Sequence, residues 1–174
     1  MDRDLSPFRP SKIWRRMPLD RRIDAASLFW NDVQSDEQQL EAVTAIASHM
    51  KFRPRSVVSL APEKRAKYLA QLPTISDTIA ARALVNYHLE RQREMMGAFL
   101  DALGMAHENG LISEEKAPKP DAARIASAAG ELSSKYPPDD VSLYFATLVS
   151  QDPETWEPLV ELSRVDTGDT ATRG

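Results

Sequence analysis

The chain has 174 residues, 42% hydrophobic and 28% charged, ordinary figures for a globular domain of this length. It has no cysteine, which excludes a disulfide framework, a thiolate nucleophile and cysteine-ligated zinc. No run approaches the roughly 18 apolar residues that span a bilayer, and the first residues lack the order of a signal peptide, so a cytoplasmic protein is expected.

Residues 1–17 read as an extended basic arm. Arg9, Lys12, Arg15 and Arg16 stand among Phe8, Ile13 and Trp14. The apolar residues are expected to bury on the acidic C-terminal helices while the arginines meet carboxylates, and Phe8, Trp14, Arg15 and Arg16 are the candidate interaction residues. Leu19, Ile23, Ala26, Trp30 and Val33 then recur at helical spacing. Ser35 opens the next helix as its N-cap, with Leu40, Val43, Ala47 and Met50 inward. Residues 56–60 are read as a helical turn or connector, because a lone strand would leave its backbone unpaired. Pro62 opens a helix that Pro73 stops. The longest element is expected from about residue 76 to 103, closed by Gly104 in the left-handed conformation. Residues 105–119 read as a loop holding the turn dipeptide Asn109-Gly110. Three shorter helices follow, from Pro120 to about Lys135, Pro138 to about Ser150 and Pro153 to about Arg164. Residues 165–174 read as a flexible tail.

The expected fold is therefore all-α: a single irregular or orthogonal bundle of about seven helices around one long helix, spanning residues 18–164. Catalytic signatures are missing. There is no glycine-rich phosphate loop, no H-E-x-x-H, no Glu-x-x-His pair and no nucleophile elbow, and no family is recognised from the motifs. No cofactor and no metal are expected.

One cluster on the long helix needs explaining. On a helical wheel His88 falls near the centre of the apolar arc, and Arg91 and Gln92 fall inside it. A buried arginine needs a partner and a buried histidine must satisfy two ring nitrogens. His88, Arg91, Gln92 and Tyr87 are thus expected to form a buried or cleft-lining polar group. Tyr68 is a further hydroxyl donor, and the acidic partner, such as Asp140 or Glu157, stays open. Two readings follow: an anion site with Arg91 as the fork, or a structural network with Arg91 reaching solvent. His107 beside Glu108 reads as solvated, and His49 near a helix C-terminus as structural.

Charge is divided along the chain. Residues 1–93 hold 16 basic and 11 acidic side chains, a net +5, whereas residues 94–174 hold 6 and 15, a net −9. Two basic clusters stand out, one in the arm and one made of Lys51, Arg53, Arg55, Lys64, Arg65 and Lys67. The sequence points to a non-enzymatic helical module that binds a partner protein or itself, the complementary ends pairing between molecules. Two alternatives stay open. One is a small anionic-ligand binder or enzyme centred on His88, Arg91 and Gln92. The other is nucleic-acid binding through the basic arm, which the sequence pI near 5.4 argues against.

Overall fold

The computed structural model describes residues 4–108, 110–112 and 119–163. The chain divides into two compact units, Met1–Arg91 and Gln92–Gly174, where the sequence reading had put residues 18–164 together. Helices dominate both units, as the all-α reading expects.

The first unit holds α1 (Pro10–Arg16), α2 (Leu19–Asn31), α3 (Asp36–Met50), α4 (Pro54–Val58), α5 (Pro62–Gln71) and α6 (Asp77–Arg91). The extended arm expected over residues 1–17 is instead folded: a 3₁₀ turn at Ser6–Phe8 leads into α1. Pro10 starts α1 because its fixed φ suits the first helical turn. The residue before it, Arg9, offers no side-chain cap, and Asp77 of α6 supplies one instead. Its Oδ1 accepts the backbone N–H of Ser11 at 3.0 Å, and its Oδ2 accepts from Arg9 Nε and Nη2 at 3.0 and 2.7 Å. Phe8, Ile13 and Trp14 are buried, and α1 packs on α6.

Helix α2 packs on α5 and α6, and α3 on α4 and α6. The inward face of α3 is Ala42, Val43, Ile46 and Ala47. Leu40, expected inward, is 69% exposed. Helix α3 ends on Lys51 at φ +57°, and Phe52 N–H closes the end by donating to the carbonyl of Ala47. Helix α4 is the helical turn read at residues 56–60, beginning slightly earlier at Pro54.

The second unit holds α7 (Arg93–Leu103), β1 (His107–Glu108), β2 (Leu111–Ile112), α8 (Ala122–Lys135) and α9 (Pro138–Gln151), then a 3₁₀ turn at Glu157–Leu159. Its core gathers on Phe99, whose ring lies 5.8 Å from Tyr144, 5.1 Å from Phe145 and 5.9 Å from Trp156. The loop expected over residues 105–119 carries a small antiparallel hairpin with His107 opposite Ile112 and Glu108 opposite Leu111. The helix expected from Pro153 is reduced to turns, as two prolines five residues apart each remove a donor. The expected tail, residues 165–174, lies outside the described residues.

The single long helix is the main correction. It is two helices, separated at Gln92, which leaves the helical basin at φ −129° and ψ 21°. The reason lies in the spacing. Buried residues recur every four positions, at Ile79, Ala83 and Tyr87, then at Met95, Phe99 and Leu103. A four-residue step drifts by roughly 40° against the 3.6-residue turn, so over six steps the stripe would wind most of the way around a straight helix. The chain instead breaks at Gln92. Gly104 ends α7 at φ +70°, as expected, with Met105 N–H on the carbonyl of Leu100. Among the described residues no helix is long and apolar enough to cross a membrane.

Candidate functional site

The four residues singled out on the long helix do not share one environment. His88 is buried, its ring 6.0 Å from that of Tyr87 in an edge-on arrangement. Gln92 is buried at the N-cap position of α7, without a side-chain capping bond. Arg91 is not buried. Its guanidinium grips the Asp24 carboxylate of α2 in a two-pronged pair, with both N–O distances at 2.9 Å. That bond to Asp24, rather than to Asp140 or Glu157, raises the arginine's pKa further and uses the fork an exogenous anion would need.

The arm residues are likewise committed. Trp14 and Phe8 are buried. Arg15 donates to the carbonyl of Pro73 at 2.7 Å. Arg16 is partly withdrawn from water, and desolvation lowers its pKa.

The polar network of the first unit lies elsewhere on α6, at Arg82 and Asn86. Asp32, at the end of α2, accepts from Ser35 Oγ, from the backbone N–H of Gln34 and from Asn86 Nδ2. Ser35 Oγ in turn accepts from Arg82 Nε at 2.9 Å, and Gln39 Nε2 donates to the carbonyls of Phe29 and Asp32. Burial pushes the Asp32 carboxyl up, but the donated hydrogen bonds and Arg82 outweigh it and the net shift is downward. Ser35 is fully buried, and its hydroxyl fixes the α2–α3 turn on α6. Asp32 and Ser35 at a three-residue spacing between two helices were the available signal.

His107 sits in a second built arrangement. Its Nε2 is 2.7 Å from Asp101 Oδ1, and its Nδ1 accepts the backbone N–H of Gly110 at 3.1 Å. An accepting Nδ1 puts the proton on Nε2, which donates to Asp101. The ring lies against Gly97, where an added Cβ would stand 3.2 Å from Cε1. With both nitrogens used, the ring pins the hairpin to α7. Among the described residues no group of three or more histidine, aspartate or glutamate side chains could hold a metal ion.

The second basic cluster gains most from the fold. Its two sequence segments meet where the Phe52 ring packs edge-on against Tyr68 of α5, centroids 6.1 Å apart. Lys64, Lys67 and Tyr68 are three and four residues apart and share one helix face. Lys51, Phe52, Arg53, Lys64 and Lys67 are all exposed. None of the four cations has an acidic partner among the described residues. On the same helix Arg65 stacks over Trp30 with its Cζ 5.2 Å from the ring centroid. Arg65 Nε and Trp30 Nε1 are buried without an acceptor, so donors exceed acceptors here as cations exceed anions.

Compared with models of known protein families, with curated proteins and with solved structures, the chain matches none.

Proposed function

We propose that the chain is a non-enzymatic interaction module that associates with itself, the basic unit of one copy meeting the acidic unit of another. The carrying observation is that charge and fold divide at nearly the same residue. Residues 1–91 hold 15 basic and 11 acidic side chains, a net +4, and residues 92–174 hold 7 and 15, a net −8. The sequence break falls between residues 93 and 94 and the structural one between 91 and 92. Opposite patches steer association and fix register more than they add affinity. Such pairing closes a two-fold dimer or propagates head to tail. A cysteine-free chain suits the reducing cytoplasm in which the proposal sets it.

Support from the candidate site is of the same kind. The arginine that could have held a small anion is paired with Asp24, while the unpaired cations lie on an exposed face. Sedimentation velocity across a salt series tests the reading. Assemblies are expected at low ionic strength and should dissociate as the screening length falls from about 30 Å at 0.01 M to about 8 Å at 0.15 M. A monomer at every salt concentration would overturn it.

A further inference from the structure

We infer that the exposed face built from Lys51, Phe52, Arg53, Lys64, Lys67 and Tyr68 is a docking surface for an acidic protein segment. The inference rests on the interaction reading above and names the face and the chemistry of its occupant. Three observations carry it. The Phe52–Tyr68 contact brings together two cationic segments that are a dozen residues apart in sequence. The four cations are exposed and without acidic partners among the described residues, so a partner's carboxylates break no existing pair.

The third observation concerns the backbone. Lys51 holds φ +57° and is the one non-glycine residue at positive φ among those described. Glycine closes a helix there without the Cβ penalty. A lysine at this point is strained, and it directly precedes Phe52, the aromatic that joins the two segments. Local strain of this sort gathers at sites with a task.

An acidic polypeptide fits better than a nucleic acid. Phe52 and Tyr68 are packed edge-on against each other rather than parted to take a base between them. A short acidic segment with apolar side chains meets both the cations and the exposed part of Phe52, and acidic protein is the chemistry that this chain's own second unit supplies.

The test uses the full chain, a fluorescein-labelled peptide of glutamates interspersed with leucines and a labelled oligothymidylate of equal charge, followed by fluorescence anisotropy. The peptide should bind in a salt-dependent way. Lys64→Glu and Lys67→Glu should each weaken it about tenfold, whereas Lys12→Glu, the same charge change at an exposed position of α1, should not. Phe52→Ala should weaken it too, circular dichroism confirming the fold. Absent peptide binding, equal loss from Lys12→Glu, or tighter binding of the oligothymidylate would overturn the inference. Sedimentation of the same variants separates the two readings. Self-association that persists unchanged in Lys64→Glu without peptide binding removes the face and leaves the module. Peptide binding by a chain that stays monomeric removes self-association and leaves the face.

Discussion

Asp77 shows how one side chain joins two helices. The hydroxyl and backbone N–H of Ser11, with Arg9, hold its carboxyl at about 2, below its ordinary 3.8. A carboxylate depressed in the folded state adds stability that is complete above its unfolded pKa and is lost as pH falls through the folded one. The contribution should be intact above about pH 4 and disappear toward pH 2. The side chain is 35% exposed, so solvent screening reduces it to about 1 kcal/mol. Asp77→Asn should lower stability at neutral pH by that amount and flatten this part of the acid limb, read by urea denaturation at several pH values. Lys51 makes the opposite prediction. Lys51→Gly should raise stability by about 1 kcal/mol and weaken binding of the acidic peptide. At this scale the sequence revealed what local rules govern. Ser76 caps α6, its Oγ accepting from the N–H of Ile79 at 3.3 Å, and Gly104 is left-handed. The burial of His88 was readable from the wheel, but the destination of Arg91 was not. Asp24 is 67 residues away, and no spacing rule selects a partner across that distance.

At the scale of elements, helices were legible wherever proline or a capping residue marked an end. Asp121 accepts the N–H of Arg124 at 2.8 Å and starts α8. Asp121→Ala should cost about 1 kcal/mol in thermal or urea unfolding. The hairpin was harder to foresee, since two strands of two residues carry no periodic signal. Its position depends on close approach instead. Gly110 has φ +90°, and a Cβ there would lie 2.9 Å from Met96 Cβ. Gly110→Ala should destabilise by about 1–3 kcal/mol, with hydrogen exchange rising first at residues 107–112. The break at Gln92 was not legible, since no proline or glycine stands between residues 76 and 96 to mark it. The arc of apolar residues was too wide for one straight helix, and two shorter helices account for it without strain.

At the scale of the molecule, the division of charge was the most legible feature, because net charge needs no knowledge of contacts. The fold adds that the division follows two compact units and that part of the basic surplus gathers on one exposed face. A charge-swap cycle follows from the self-association reading. Glu131 and Asp139 are exposed on the second unit, and Glu131→Lys with Asp139→Lys should weaken association, as Lys64→Glu with Lys67→Glu should. Mixing the two variants should restore more association than either shows alone, a non-additive coupling between contacting patches. Equal sedimentation of the mixture and the separate variants would place the contact elsewhere.

The three histidines are unequal in a way that chemistry can use. His88 is buried and His107 has both ring nitrogens engaged. His49 is exposed, and neither of its nitrogens is bonded among the described residues. A histidine-directed acylating reagent should therefore modify the native chain at one position, half a turn of helix before Lys51. A label placed there would sit two residues from the left-handed end of α3 and report on that helix end without any engineered residue.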